Sequence, residues 1–234
     1  MSLFIVATPI GNLSDMSGRA IETLKSASLI VAEDTRNTRK LLDRYEIKTS
    51  IQSFHQHSTQ DKVQQILADI VQGRDVALVT DAGTPGVSDP GGELVAAVVE
   101  KNEELRAANQ LEIPIVPIPG ASALAALLSV TNFEVEPSLF VGFLPKKKGR
   151  STMLSTIKQA SGKHGIHSIV IYESPYRIQK TLVELGKIFG DDSHVVVGRE
   201  LTKQYEEIWY GPVAEAAAYF KAPKGEFTLI LKTN

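Results

Sequence analysis

The sequence contains no cysteine, which excludes disulfide bonds, thiolate nucleophiles and Cys-ligated metal sites. It also has no apolar run near the ~18 residues that a membrane-spanning helix requires. The first residues, Met1–Ala7, lack the charged leader of a targeting peptide and predict a strand directly. These absences favour a cytosolic protein without a membrane span, and the 234 residues are enough for a sizeable core in one or two domains.

Several familiar catalytic and binding motifs are missing as well. No G-x-G-x-x-G follows the first predicted strand and no G-x-x-x-x-G-K-[ST] occurs, so nucleotide phosphates have no obvious binding loop. No G-x-S-x-G is present, which leaves a hydrolase triad unsupported. His55 and His57 form a His-x-His pair that would share one face of a strand. No third ligand lies nearby in the sequence, and we predict no metal site.

The most informative segment that is present runs from Val76 to Gly92. A short apolar run, Val76–Val79, predicts a buried strand that leads into a loop with four glycines, two prolines and two aspartates. Loops at the carboxyl ends of strands bind ligands in open α/β sheets, although the same residue types also form ordinary turns. Because the loop has no positive charge and contains Asp81 and Asp89, it favours a neutral or cationic ligand such as a sulfonium.

Charge is distributed unevenly along the chain. The segment from Phe143 to Arg177 carries seven positive residues and one negative residue, for a charge of +6, whereas the rest carries −8. Charge runs are usually solvated surface, but a basic patch on an acidic protein can also direct a polyanion to one face. Four positive residues within 146–150 therefore favour a polyanionic substrate.

The order of predicted elements indicates an α/β protein with two domains. Strands alternate with helices up to the Ile113–Ile118 strand, which predicts parallel βαβ units. The Pro117-Ile-Pro-Gly120 segment interrupts this order, so we predict an α/β domain over 1–118 and a second, strand-rich α/β domain over 119–234.

Two predicted helices of the first half differ in how clearly the sequence defines them. Apolar residues recur at helical spacing within 59–71, which predicts a helix over Thr59–Val71. A second helix is predicted over Glu93–Val99. The polar Lys101–Gln110 stretch that follows it has no apolar period and is expected to be the least ordered part of the chain.

Four further clusters of turn and polar residues follow predicted strands. Each could be a simple loop, but several of them in one cleft would form a ligand site. The clusters are Ala7–Asn12, Pro117–Ala123, Tyr172–Arg177 and Gly198–Lys203.

The ordered set of these motifs closely resembles the tetrapyrrole-methylase-fold enzymes, and within them the branch that methylates ribosomal RNA. The resemblance extends from Leu3 to about Leu231, and its specificity comes from the order of the set. The segments that carry it are Ala7–Leu13, Ala32–Arg36, Phe54-His55 with His57, Asp81–Pro85, Pro119-Gly120, Gly142–Pro145, Tyr172–Ser174 and Arg199–Lys203.

The resemblance implies a parallel-sheet N-terminal domain, a mixed-sheet C-terminal domain and S-adenosylmethionine (SAM) in the cleft between them. It also implies a homodimer that methylates the ribose 2′-hydroxyl of a cytidine in the decoding centre of 16S ribosomal RNA, in the small subunit. The SAM contacts carried over from the family are Pro9, Asp81, Gly83, Pro85, Val87, Ser122, Ala123, Tyr172, Leu201 and Thr228.

A ribose hydroxyl is a weak nucleophile, so a general base would assist the reaction. Glu33, Asp34, Asp81, Glu173 and Glu200 are candidates, with His57 also possible. We prefer Glu173 and Glu200, with Asp81 retained, although either glutamate could instead form an ion pair with Arg177 or Arg199. The residues predicted to contact RNA phosphates are Arg36, Arg39, Lys146, Lys147, Lys148, Arg150 and Lys203. Arg36 could alternatively form a structural salt bridge.

Two departures from the family pattern and two rival functions remain. Many relatives continue past the Gly225–Ile230 strand into a small C-terminal domain, so part of their RNA contact would be absent here or supplied differently. The Lys101–Gln110 stretch is also longer than usual.

The rivals are a SAM-dependent methylase of a tetrapyrrole or other small molecule, and a catalytically silent SAM-binding ribosome factor.

Overall fold

Two of the first strands are short apolar runs that are buried on both faces, as expected for a parallel sheet covered by helices. Strand β2 (Leu29–Ala32) is buried at every position, and β4 (Asp75–Val79) is buried at all but its first residue. The computed structural model describes residues 1–55 and 58–233. They form two compact units, Met1–Ser122 and Ala123–Asn234, which are described separately below.

The first unit is a parallel α/β sheet. Its strands are β1 (Ser2–Val6), β2, β3 (Ile51–Ser53), β4 and β5 (Ile115–Ile118), and its helices are α1 (Gly18–Ser26), α2 (Thr35–Arg44), α3 (Gln60–Val71) and α4 (Gly92–Ala107). The strand order is β3-β2-β4-β1-β5, and the paired strands are parallel throughout. The predicted βαβ units are therefore confirmed for this half of the chain.

Helices cover both faces of this sheet. Apolar residues of α1 and α2 pack on one face in a cluster that includes Leu24 and Leu42. Those of α3 and α4 pack on the other face, in a cluster that includes Ile66 and Leu94. Strand β1 is followed by α1 and the adjacent β4 by α4, so the chain leaves these two neighbours toward opposite faces. This is the switch point at which doubly wound sheets bind ligands.

Helix α4 is longer than predicted, which corrects the expectation for Lys101–Gln110. The helix continues to Ala107, and Asn102 is buried within it. The Asn102 amide donates to the Ile113 carbonyl at 2.9 Å and accepts from the Ile113 backbone N–H at 2.7 Å. Because these bonds satisfy the buried Asn102 side chain and tie the helix to the segment before β5, a largely exposed stretch without apolar periodicity is ordered.

The second unit is a mixed sheet with helices. Its strands are β6 (Ser138–Phe143), β7 (Ser168–Glu173), β8 (His194–Arg199), β9 (Glu207–Pro212) and β10 (Phe227–Lys232), and its helices are α5 (Ala123–Leu128), α6 (Arg150–His164), α7 (Ile178–Phe189) and α8 (Val213–Tyr219). The order is β6-β7-β10-β8-β9, in which β6 and β7 are parallel and the other pairs are antiparallel.

Alternate residues of the second sheet face different helices. Ile171, Val197 and Leu229 belong to the core formed with α6, α7 and α8. The residues that alternate with them face α5, where a Cβ on Gly198 would lie 2.8 Å from Leu127. Among residues 1–55 and 58–233, no helix is both long and apolar enough to cross a membrane.

Candidate functional site

The loops that follow β1 and β4 are joined by backbone hydrogen bonds at the switch point. The Thr8 N–H donates to the Gly83 carbonyl at 2.8 Å, and the Gly83 N–H donates to the Thr8 carbonyl at 3.1 Å. The Thr8 hydroxyl also donates to the Thr80 carbonyl at 3.1 Å. These bonds hold both loops at the carboxyl edge of the sheet, where ligands are expected.

The predicted cofactor residues of the first unit gather around this pair of loops. Pro9 follows Thr8 and is buried, and Gly83 has a φ of +79°, which favours glycine. A Cβ on Gly120 would lie only 3.0 Å from that of Ala7, so the segment leading to Ser122 also passes close to the β1 loop. Asp81, Pro85 and Val87 lie on the β4 loop itself.

Three carboxylates lie where β2 and β4 end. The Asp81 N–H donates to Glu33 at 3.4 Å, and Asp81 accepts from the Asp34 N–H at 3.3 Å and from the Asn37 side chain at 3.2 Å. The Asp34 carboxylate also accepts from the N–H of Arg36 at 2.8 Å, at the start of α2. Hydrogen bonds therefore hold this acidic cluster in place from two adjacent strands.

The carboxylates of this cluster differ in acidity. Burial raises the pKa of Glu33, and the nearby charges of Asp81 and Asp34 raise it further, against a hydrogen bond from the Asp81 backbone that lowers it. Hydrogen bonds from Arg36 lower the pKa of Asp34 to about 2. Glu33 is thus the member of the cluster whose pKa moves toward neutrality, as a general base requires.

The predicted cofactor residues of the second unit also converge. Tyr172 and Thr228 are directly opposite each other on β7 and β10, and Thr228 is also opposite Gly198. The Tyr172 hydroxyl accepts from the Leu124 N–H at 3.1 Å, beside Ala123 at the start of α5. A Cβ on Gly198 would lie 3.0 Å from the Leu201 side chain. The set Ala123, Tyr172, Leu201 and Thr228 is therefore local to one end of this sheet.

Each unit holds a buried hydroxyl without a hydrogen-bond partner at these loops. Within the described part of the chain, neither the Thr80 nor the Thr202 hydroxyl finds a partner. Thr80 directly precedes Asp81, and Thr202 directly follows Leu201. Because buried polar groups are normally satisfied, these two hydroxyls are available to a ligand.

Glu173, one of the two preferred general bases, lies in a buried ion-pair network. Its side chain is 0% exposed, and it is 2.7 Å from Arg177 and 3.8 Å from Arg150. It also accepts from the Thr181 hydroxyl at 2.7 Å and from the Ser174 N–H at 2.8 Å. The structural alternative, an ion pair with Arg177, describes Glu173 better than a catalytic role.

Glu200, the other preferred base, is also paired, but with Lys203 rather than Arg199. Its carboxylate accepts from Lys203 at 2.9 Å and from the Glu226 N–H at 2.9 Å. Burial alone would raise the pKa of Glu200, but these two hydrogen bonds outweigh it and the pKa is lowered. A carboxylate that is held ionised by a neighbouring lysine is a weak proton acceptor.

The predicted RNA-contacting residues differ in availability. Lys146, Lys147, Lys148 and Arg39 are exposed and form no ion pair among residues 1–55 and 58–233. Arg36 is 87% exposed, although it forms the alternative salt bridge to Asp34 at 2.7 Å. Lys203 is held between Glu200 and Glu226 at 2.9 and 2.8 Å.

Arg150 does not fit its predicted role as a phosphate contact. Its side chain is 6% exposed and forms ion pairs with Glu184 at 2.7 Å and Glu173 at 3.8 Å. It also donates to the Thr181 hydroxyl at 2.6 Å and to the Pro145 carbonyl at 3.2 Å. Because it begins α6 against the core, its charge holds the scaffold together instead of facing a polyanion.

His57 lies outside the described residues, so its suggested role as a base or in a His-x-His pair stays a prediction. In the part of the chain that is described, no three His, Asp or Glu side chains converge as metal ligands.

The sheet order of the first unit defines a doubly wound α/β domain, and a mixed-sheet unit follows it. The acidic, glycine-rich loops at the switch point of the first sheet suit a small neutral or cationic ligand. The family model of the tetrapyrrole (corrin/porphyrin) methylases matches residues 2–217, and the chain belongs to this family of methyltransferases. The family resemblance of the sequence motifs is thereby confirmed, as is the predicted fold class.

Curated relatives are similar along almost the whole chain. Three proteins named ribosomal RNA small subunit methyltransferase I are 44% identical in Synechocystis sp., 41% in Halalkalibacterium halodurans and 40% in Thermotoga maritima. The alignments cover 98%, 100% and 98% of this chain, and 78%, 76% and 97% of the respective relatives.

Solved structures share the fold at low sequence identity. The methyltransferase CobJ superposes with a TM-score of 0.71 at 16% identity, over 99% of this chain and 94% of that one. A diphthine synthase superposes with a TM-score of 0.67 at 12% identity, over 100% and 90% of the two chains. At such identities these neighbours establish the architecture alone.

Glu33 was one of several candidate bases in the sequence and ranked below the preferred Glu173 and Glu200. It follows a buried strand directly, which is the signal that singled out Asp81, but β2 and β4 are far apart in sequence. Only the strand order places the two carboxylates side by side.

Proposed function

We propose that this protein is a SAM-dependent methyltransferase that methylates the ribose 2′-hydroxyl of a cytidine in the decoding centre of 16S ribosomal RNA. The observation that carries the proposal is the 44% identity, over 98% of the chain, to a ribosomal RNA small subunit methyltransferase I. We further propose that it acts as a cytoplasmic homodimer on the small ribosomal subunit, as the family resemblance implies.

The residues at the loop ends fit SAM. The segment from Val76 to Gly92 contains carboxylates but no lysine or arginine, which suits a ligand with a sulfonium and an ammonium group. The Thr80 and Thr202 hydroxyls can hydrogen-bond to such a ligand. We assign its contacts to two groups, one in each unit. They are Pro9, Asp81, Gly83, Pro85, Val87 and Ser122 in the first unit, and Ala123, Tyr172, Leu201 and Thr228 in the second.

When bound, SAM supplies a methyl group already activated by its sulfonium. What remains for the protein is to align the ribose oxygen with that methyl group, and positioning can account for much of the acceleration. We assign proton acceptance from the hydroxyl to Glu33, whose pKa is raised chiefly by burial. Asp81 lies beside it and fixes its position through the hydrogen bond from the Asp81 N–H. Glu173 and Glu200 then act as structural ion-pair partners.

Phosphate contacts are assigned to the exposed cations Lys146, Lys147, Lys148 and Arg39, with weaker contributions from the paired Arg36 and Lys203. Exposed cations can exchange water and counterions for phosphates, and this exchange makes RNA binding depend on salt. Arg150 is left out of this set because it is buried.

The test is methyl transfer from radiolabelled SAM to small ribosomal subunits that lack the modification, with the labelled nucleoside identified by mass spectrometry. We expect label in 2′-O-methylcytidine. Label on another ribosomal nucleoside would overturn the assignment of the target. Label only on a tetrapyrrole substrate would indicate the small-molecule methylase, and SAM binding by calorimetry without transfer to any substrate would indicate a silent binding factor.

A further inference from the structure

Two loops of the second unit lie side by side because β6 and β7 are the parallel pair of an otherwise antiparallel sheet. Phe143, the last residue of β6, is directly opposite Tyr172 on β7. The loop 144–149 therefore leaves the same sheet edge as the loop 174–177. Neither loop contains Glu33, the residue to which the proposed function assigns the role of general base.

Two aromatic side chains are exposed at this edge. Tyr176 is 95% exposed and Phe143 is 50% exposed. The Phe143 ring packs edge-on against the Tyr172 ring at 5.7 Å between centroids, which leaves part of its surface free. Large apolar side chains that remain exposed to water on adjoining loops can mark a binding surface.

The loops that carry these aromatics are held firmly by buried charge. Arg177, next to Tyr176, donates to the Leu144 carbonyl at 2.8 Å and pairs with Glu173 at 2.7 Å. Arg150 donates to the Pro145 carbonyl at 3.2 Å from within the core. Two arginines thus fix the loops from inside, whereas the three lysines of the 144–149 loop are exposed to solvent.

An exposed aromatic pair beside three exposed lysines matches the chemistry of single-stranded RNA. Unpaired bases stack on aromatic rings, and the phosphates that follow them bind cations. A protein partner would need an acidic patch opposite the three ammonium groups as well as an apolar surface, whereas every nucleotide of a single strand supplies both a base and a phosphate.

We propose that Tyr176 and Phe143 form a stacking platform for unpaired bases of the RNA substrate, with Lys146–Lys148 contacting the adjoining phosphates. The inference rests on the proposed function for its RNA substrate and adds residues that make contact through base stacking rather than charge. Because Phe143 contacts Tyr172, an assigned cofactor residue, the platform holds nucleotides near the site of methyl transfer.

The experiment compares Tyr176→Leu with Tyr176→Phe, since leucine keeps apolar area but removes the ring whereas phenylalanine keeps the ring. The probe is a short single-stranded RNA containing 2-aminopurine, whose fluorescence falls on stacking, and a duplex RNA of equal length serves as the reference. Tyr219→Leu removes an exposed tyrosine on α8 and is the matched control.

We expect Tyr176→Leu to bind the single strand roughly ten-fold more weakly, with less quenching and an unchanged dependence on salt. Tyr176→Phe should retain both affinity and quenching, and duplex binding should be equal for all variants. SAM affinity, measured by calorimetry, should be unaffected by the change.

Single-strand affinity equal to wild type in Tyr176→Leu would overturn the platform. A changed oligomeric state in light scattering, with full RNA affinity, would identify the surface as a protein interface and would overturn it as well. If the wild-type protein stacks RNA through Tyr176 but methylates no ribosomal nucleoside, the platform stands and the proposed function fails.

Discussion

At the scale of single residues, the surroundings of a carboxylate decide its pKa. The cluster of Glu33, Asp34 and Asp81 contains examples of a raised and a lowered pKa. Asp34 is held ionised by Arg36, whereas Glu33 is partly buried among like charges. Ionised Glu33 is therefore costly to the folded protein, and the cost grows as the pH rises from the ordinary pKa of a glutamate through the raised pKa of this one.

Replacement of Glu33 by glutamine should separate catalysis from folding. We expect a loss of methyl-transfer rate of about 100-fold or more, because a general base contributes at least that much, with SAM affinity retained. The same variant should melt at a higher temperature near neutral pH, since it removes a carboxylate that the fold disfavours in its charged form. Rate assays and thermal melts measure the two effects, and an unimpaired rate would exclude Glu33 as the base.

Asp34→Asn is the matched variant for the pH dependence of this reaction. Asparagine still caps a helix, but it removes a negative charge that raises the pKa of Glu33. In the wild-type protein the rate should rise with pH and level off above the pKa of Glu33, and Asp34→Asn should move that rise to lower pH. A rise that does not move would show that another group accepts the proton.

At the scale of elements, the buried network around Glu173 connects three of them. Glu173 lies on β7, Arg150 begins α6, and Thr181 lies on α7. Glu173→Gln removes the negative charge that neutralises the guanidinium groups of Arg150 and Arg177. We expect a loss of about 3 kcal/mol in the free energy of unfolding.

Denaturant unfolding measures that loss, and the methyl-transfer rate per folded molecule should stay near the wild-type value. Glu184→Gln is the control, because Glu184 is partly exposed and its replacement should cost less. A stable Glu173→Gln protein without activity would restore the catalytic role that the sequence suggested.

Element positions followed from the sequence where a local pattern determined them. The apolar periodicity of α3 and the continuous apolar run of β4 predicted these elements to within a residue or two. The end of α4 did not follow, because the order of its last turns depends on hydrogen bonds between Asn102 and Ile113, eleven positions apart. No periodic pattern records such a contact.

Site residues were harder to assign than elements, and for the same reason. The loops at strand ends could be located from glycine, proline and aspartate, and the pairing of Glu173 with Arg177 was an open alternative in the sequence. The partners of Arg150, by contrast, come from a distant segment. A buried guanidinium that pairs with Glu184, 34 positions away, has the same appearance in sequence as an exposed one.

At the scale of the whole molecule, its net charge of −2 would oppose association with RNA unless the exposed lysines act locally. Replacement of Lys146, Lys147 and Lys148 by glutamine should weaken RNA binding and reduce its salt dependence, with the logarithmic slope falling by about 1 for each phosphate that is no longer bound. Affinity titrations at several salt concentrations measure the slope. Gln substitutions at Lys25, Lys40 and Lys48, exposed lysines of the first unit, should leave it unchanged.

The packing of Phe143 against Tyr172 has a thermodynamic consequence for this enzyme. We propose that Phe143 contacts the RNA and Tyr172 the methyl donor. Because the two rings pack together, we expect each ligand to affect the surface that receives the other. Binding free energies are reciprocal, and whatever factor the donor contributes to RNA affinity, the RNA must contribute to donor affinity. We therefore expect the affinity for each ligand in the presence of the other to depend on this one pair of aromatic side chains.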